Sequence, residues 1–406
     1  MTSLRYGKLT PRRVAHAVAW RYRRVRLRVR RRLAAFGRHA KPEPLPPFPD
    51  LAATPVVVGI GPANFAGQAW EWKRAAEKHL DGVSCEVFAA VGTGLQFPAD
   101  RLIESRWYTV REWQDRQEQR VLEEYTHLIA EAVRPVFGLK YGDTLAADLP
   151  TLRAAGKPVA ILLHGSEIRR PDAHAEKYPY SPFRDRRWEL GRVLQDQSVR
   201  LGRIVAAFDG PKFVSTPDLL DDVPDAVWLP VVVDPDVWVS TFPLLERERP
   251  IVLHVPSASR MKGSELIDPT MDKLAAEGLV EYRRLSGIDP DAMPSLVAEA
   301  DIVLDQFALG SFGVAAVQSL SAGRVTVGHV MPHVRARVGV ELPIVEATPD
   351  TLRAVLLDLL DNREAARATA AAGRRYAMAV HDGRASAQVL AGFLGRPLAA
   401  LGKAAS

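Results

Sequence analysis

Gly310-Ser-Phe-Gly-Val-Ala-Ala-Val-Gln318-Ser-Leu-Ser-Ala-Gly323 follows one apolar run, 302–305, and precedes another, 325–329. Short β-branched runs flanking an apolar helical stretch are the pattern of a strand–helix–strand unit in a parallel sheet. The glycine-bounded turn at 310–313 leads into a helix expected over 314–322, whose first amides have no partner inside the helix and attract an anion. The same unit stands upstream. A strand at 251–255 runs through Pro256-Ser257-Ala-Ser-Arg260-Met-Lys262-Gly263 into a helix at 264–277. Arg260 as a planar fork and Lys262 as a point charge suit a diphosphate at such a turn.

Working outward, strands are expected at 280–285 and 343–345, a short helix at 293–300, and helices at about 349–360, 362–379 and 384–394. The stretch 235–250 has no period and reads as a boundary. Ahead of it lies a second alternating set, with strands at 55–60, 85–90, 127–130, 159–164, 204–207, 213–215 and 226–230. Helices fall at 65–79, 110–125, 144–155 and 187–197, and the polar, proline-containing segment 165–187 reads as a loop. At 406 residues the chain exceeds one ordinary core. The expected architecture is α/β, with two doubly wound, Rossmann-like domains, 51–240 and 241–406, facing a central cleft that takes the ligand.

Residues 1–50 differ from this body. They hold twelve Arg and two Lys against Glu43 and Asp50, a balance of +12, which leaves −6 on the remaining 356 residues. Excess basicity in one arm is no argument for a nucleic-acid-binding body. Val14, Val18, Tyr22, Val25, Val29, Leu33 and Phe36 recur at helical spacing among the arginines. A basic amphipathic helix over 12–36 fits an anionic membrane surface; a solvated or docked tail and RNA binding are the other readings. The proline-rich stretch 41–49 forms a stiff spacer. The lone Cys85 excludes an internal disulfide framework and a multi-cysteine metal site, and favours a reducing compartment.

Two further motifs sit after first-domain strands. Gly59-Ile-Gly61-Pro-Ala-Asn64-Phe-Ala-Gly67 opens the first helix and superficially resembles a dinucleotide-binding turn, but Asn64 replaces the third glycine. A nicotinamide-dependent dehydrogenase would rest on Gly59 and Gly61 alone. His164-Gly165-Ser166-Glu167-Ile168-Arg169 ends the apolar strand 159–163, a place where packing rarely asks for a polar string.

These motifs, in this order, resemble the family 4 retaining glycosyltransferases of the GT-B fold over roughly 55–395. Their pattern is Glu-Gly-Phe-Gly-Leu-x-x-x-Glu-Ala-Met-Ala-x-Gly, which 310–323 follows with departures. The resemblance implies transfer of a sugar from a nucleotide-sugar donor to a glycan, lipid-linked or small-molecule acceptor, with no metal and no cofactor beyond the donor. It implies that Lys262 binds the donor diphosphate and that Gln318 grips the ribose hydroxyls. Gly313 and Val314 would offer backbone amides, with Ser257, Gly263, Gly310, Ser311 and Phe312 completing the donor side. His164 would stand near the donor sugar, with Lys262 and Arg260 as the other catalytic residues. Gly61, Asn64, Gly67, Glu167 and Arg169 would line the acceptor side. Three positions depart: Gly310 and Gln318 replace the two glutamates, and Ser257 replaces an arginine for which Arg260 is the nearest substitute. A non-catalytic relative that binds nucleotide sugar or glycan in cell-envelope assembly is the alternative. The expected location is the cytoplasm, at the inner membrane face.

Overall fold

In a computed structural model, which describes residues 44–91 and 96–398, every run read as a strand becomes a parallel strand except 204–207. The basic arm over 12–36 lies outside the described residues. The first domain's sheet contains β1 (Val56–Gly61), β2 (Val83–Ala90), β3 (Arg101–Ile103), β4 (His127–Glu131), β5 (Val159–Leu163), β6 (Lys212–Val214) and β7 (Val227–Trp228), in the order β3-β2-β1-β4-β5-β6-β7. Ile60 stands level with Val87 on one side and Ile129 on the other. The second sheet contains β8 (Ile251–His254), β9 (Glu281–Arg284), β10 (Ile302–Leu304), β11 (Val325–Gly328) and β12 (Val345–Glu346), in the order β12-β11-β10-β8-β9. Both sheets are doubly wound. Their orders reverse between β1 and β4 and between β8 and β10, and ligands in such sheets bind beyond the carboxyl ends of strands at the reversal. The loops after those four strands hold most of the motifs read from the sequence.

Three local readings change. Residues 204–206 end the Glu189–Ala206 helix and Ala207 caps it, because the helical period of Leu201 and Val205, both buried, outweighs the β-branched pair Ile204-Val205. The segment 165–187 contains the Pro171–Lys177 helix and a 3₁₀ turn at Pro182–Arg184; both open on a proline, which suits the first turn of a helix. Strand β3 escaped notice because it opens on a buried arginine. Arg101 Nε donates to Glu86 Oε1 at 3.0 Å, and Arg120 Nη2 donates to the same oxygen at 2.9 Å. Paired in this way, two guanidiniums stay buried.

The link between the domains is built from one extended segment. Trp72 Nε1 donates to the Pro230 carbonyl at 2.8 Å, and the Gln68 amide both donates to and accepts from Val232, at 3.1 and 2.7 Å. From the C-terminal side, His381 Nδ1 donates to the Val231 carbonyl at 2.7 Å and Ser386 Oγ to the Pro230 carbonyl at 2.7 Å. The final helix, Arg384–Leu394, thereby returns to the first domain, where Leu390 and Leu394 join Trp72 and Ile60 in one apolar cluster. No helix among the described residues is long and apolar enough to cross a membrane.

His381 generates a pH test of this link. Burial holds its pKa down at about 4, so the folded ring is neutral, whereas an unfolded histidine titrates near 6.5. Unfolding therefore takes up a proton in acid. Stability is present above pH 6.5 and is lost as pH falls toward 4. The loss from this group is about 2 kcal/mol by pH 5. Denaturant midpoints of the parent are expected to fall more steeply from pH 7 to 5 than those of His381→Gln; parallel slopes would assign the titration elsewhere.

Candidate active site

At the first sheet's reversal, the carboxyl end of β4 delivers Glu131, a fully buried carboxylate. Its Oε2 accepts from the backbone amides of Ala63 and Asn64, both at 2.9 Å, and its Oε1 lies 3.0 Å from His164 Nε2. Burial alone would raise the Glu131 pKa. The His164 contact and the two amides outweigh it and hold the carboxyl below its usual range. An ionised carboxylate only accepts, so His164 Nε2 is the donor in this contact. The ring is seated against the edge of Phe65, with centroids 5.0 Å apart, and beside Trp72 at 5.8 Å.

Backbone around Glu131 is strained. Ala132 and Val133 have φ of 55° and 56°, and Asn64 and Ala66 across from them have 50° and 52°. A β-branched residue in the left-handed region is rare, and such outliers gather where function fixes the chain. The glycines of 59–67 serve packing. A side chain at Gly59 would meet the Tyr125 ring at 2.2 Å, and one at Gly61 would meet the Phe88 carbonyl at 2.2 Å. Gly67 adopts φ 73° against Phe97, and Asn64 ties the loop by donating from Nδ2 to the Pro98 carbonyl at 2.8 Å.

At the second sheet's reversal, one carboxylate organises the loops. Asp305, just beyond β10, accepts from Lys262 Nζ at 2.8 Å with one oxygen and from the Gly313 amide at 2.9 Å with the other. It therefore links the turn after β8 to the first turn of the Val314–Ser321 helix. Gly263 closes the Lys262 turn with φ 75°, and a Cβ there would stand 3.0 Å from the Ala308 amide nitrogen. Gln318, half-buried on the helix, makes no side-chain hydrogen bond among the described residues. Ser257 is exposed. Arg260 points elsewhere: its Nη2 donates to Asp185 at 2.6 Å and its guanidinium lies 4.7 Å over the Trp188 ring.

The two groups of loops meet. Arg169, buried, donates from Nη2 to Asp218 Oδ2 at 2.6 Å, and the other Asp218 oxygen accepts from Ser311 Oγ at 2.6 Å. Burial opposes ionisation of Asp218, but the Arg169 charge and the Ser311 hydroxyl hold its pKa below the normal value. Beside this bridge, Tyr178 stacks on His174 with ring centroids 4.1 Å apart and donates its hydroxyl to Asp221 at 3.0 Å. Its ring fills the space a side chain at 310 would need: a Cβ on Gly310 would come within 2.4 Å of Tyr178 and 2.7 Å of Met331, and φ there is 64°. Phe312 is buried nearby, edge-on to His381. Glu167 caps the His164 amide with its carboxylate and is itself buried. Among the described residues, no three His, Cys, Asp or Glu side chains are arranged to hold a metal ion.

His164, Asn64 and Glu167 are thus gathered around Glu131, and Lys262, Gly263 and Gly313 around Asp305, while Arg169 and Ser311 join the two sets through Asp218. Sequence reading did not single out Glu131, Asp305, Asp218 or Tyr178. The first two each end an apolar strand at a reversal, and that position was the available signal.

No family model and no curated protein matches this chain. Solved structures match its fold. Sucrose-phosphate synthase from Thermosynechococcus elongatus is 12% identical with a TM-score of 0.56, covering 83% of this chain and 97% of its own. Anabaena HepE in complex with UDP-glucose is 12% identical with a TM-score of 0.53, over 84% of this chain and 99% of its own. An alpha-glucosyltransferase in complex with UDP and a 13-mer DNA is 10% identical with a TM-score of 0.53, over 84% and 99%. The chain has the GT-B architecture of two Rossmann-like domains, and these neighbours share it.

Gly310→Ala tests the seat taken by Tyr178. Left-handed backbone and overpacking together should lower stability by roughly 2–4 kcal/mol. In a double-mutant cycle with Tyr178→Ala, the combined loss is expected to fall at least 1 kcal/mol short of the sum, since removing the ring relieves the clash. Additive losses would mean that Tyr178 does not restrict position 310.

Proposed function

We propose that this chain is a nucleotide-sugar-dependent glycosyltransferase that retains the anomeric configuration, with its donor at the Lys262–Asp305–Gly313 cluster. One observation carries the reading: a cation and the start of a helix converge beyond the carboxyl ends of β8 and β10, where a doubly wound sheet binds its ligand. As the sugar–phosphate bond breaks, negative charge gathers on the leaving diphosphate. Lys262 and the amides of Val314 and Ala315 meet that charge without reorganising. The acceptor oxygen attacks from the same face of the sugar, on the side of His164 and Glu131. No metal is needed in this scheme. Glu131 sets the orientation of His164, and Gln318 offers an uncharged amide to the ribose hydroxyls. Arg260 would join the diphosphate by leaving Asp185, an exposed pair worth at most about 1 kcal/mol. The neighbours in complex with UDP and UDP-glucose make uridine donors the first to try.

Gly310, where the resembled pattern has a carboxylate, keeps a second reading in play: a relative that binds donor and does not turn it over. Binding with no transfer or hydrolysis across a panel of acceptors would favour it. The basic arm, in this proposal, holds the enzyme at an anionic membrane on the cytoplasmic side, near a lipid-linked acceptor. The full chain is then expected to sediment with anionic vesicles at low salt and to be released as salt shortens the screening length to about 8–10 Å; no sedimentation at low salt would sink that part.

For the donor site, thermal shifts with UDP-, GDP- and ADP-linked sugars should single out one nucleotide, raising stability by about 2.7 kcal/mol at a hundred times its Kd. Lys262→Ala is expected to abolish turnover and to weaken nucleoside diphosphate binding at least tenfold while sparing the bare nucleoside. Equal weakening of both would make Lys262 structural. Gln318→Leu should also weaken the donor, by about 1–3 kcal/mol, through unpaired hydroxyls; unchanged affinity would move Gln318 out of the site.

A further inference from the structure

Beside His164 lies a cavity of about 300 Å³ that no part of the donor site uses. Phe65, whose edge seats His164, forms one wall, and the strained residues Ala132 and Val133 form another. Its polar lining is mostly unspent. The side chains of Thr144, Ser166 and Gln197 make no hydrogen bond among the described residues.

Charge in the cavity is unevenly engaged. Arg134 lies 5.0 Å over the Phe65 ring and has no carboxylate within ion-pair distance among the described residues. Arg200 has only Asp143, at 3.3 and 3.5 Å, and both members of that pair are exposed. The remaining acid, Glu167, is buried and turned to the His164 amide. A guanidinium set over an aromatic ring with no carboxylate partner has N–H donors free for a carboxylate or phosphate. Phe65 touches both Arg134 and His164, so the cavity's free guanidinium stands one ring away from the imidazole.

We infer that this cavity binds the anionic group of the acceptor, a phosphate monoester or a carboxylate, with Arg134 as the principal fork and Arg200 as its second cation. The inference rests on the reading of His164 as the acceptor side, and it narrows the acceptor to a small anionic molecule or an anionic end of a larger one. Volume supports it, because about 300 Å³ is at the lower end of small-molecule pockets.

The test uses the full chain saturated with UDP, so that the donor site is filled, and four probes: inorganic phosphate, acetate, glucose and glucose 6-phosphate. Glucose 6-phosphate or phosphate is expected to bind and glucose to bind at least tenfold more weakly. Acetate binding without phosphate would assign the site to carboxylates, and binding of both would assign it to either anion. Arg134→Gln should reduce anion affinity tenfold or more, Arg134→Lys less, and neither should move UDP affinity. Anion affinity unchanged in Arg134→Gln would overturn the inference. Loss of anion binding in Lys262→Ala, with Arg134 intact, would also overturn it by tracing the anion to the donor cluster. A chain that binds phosphate through Arg134 but no nucleotide at all would leave the cavity assigned and remove the glycosyltransferase reading instead.

Discussion

The contact between Lys262 and Asp305, 2.8 Å long, sets the geometry of the loops beyond the carboxyl ends of β8 and β10. Asp305 uses its second oxygen on the Gly313 amide. One short side chain therefore fixes the distance between two loops that arrive from different strands, and it occupies the donor end of a helix that would otherwise lie bare. The turn after β8 depends on it too, because Lys262 contributes its carbonyl to the Phe307 amide at 2.9 Å while its ammonium reaches Asp305. A side chain at 313 would stand 2.9 Å from Lys262 Nζ, so the glycine there is set by the same pairing. The helix start, the lysine and the glycine form one unit with a carboxylate at its centre.

A second carboxylate does the corresponding work in the first domain. Glu131 holds the loop after β1 through two amides and the histidine after β5 through its ring. Both organising acids stand at the carboxyl end of a strand beside a sheet reversal. The parallel is physical. Diverging loops at a reversal expose unpaired amides, and a buried carboxylate with several lone pairs satisfies more of them than any neutral side chain can. Between the two units lies the bridge of Arg169, Asp218 and Ser311, buried, so its polar partners have no water to exchange for and hold their register.

Much of this fold was legible because apolar runs of four to six residues alternate with helical periods, and burial follows that pattern directly. What escaped notice has one cause. Arg101 opens a strand only because Glu86, on its neighbour, cancels its charge, and a pairing 15 residues apart leaves no periodic trace. The Pro171–Lys177 helix is too short to show a period. At the site, glycine, lysine and histidine motifs were readable as turn chemistry. Their acidic partners were not, since Asp305 and Glu131 look in sequence like ordinary strand-end carboxylates. Nor could the sequence show that Tyr125 and Phe88 fill the space beside Gly59 and Gly61.

The departures at 310 and 318 take on a different sense once charge is counted. In the resembled pattern both positions are glutamates, so the face would carry two more negative charges than it does here. In this chain Lys262 is already matched by Asp305, and Arg169 by Asp218. Adding two carboxylates to such a face would leave it anionic, unless further cations stood by. Arg260 is engaged with Asp185, and Ser257 offers none. Glycine and glutamine therefore keep the cluster near neutrality. Tyr178 belongs to the same adjustment: it fills the room that a side chain at 310 would have taken and brings a neutral ring, fixed by His174 and Asp221, to the boundary between the domains.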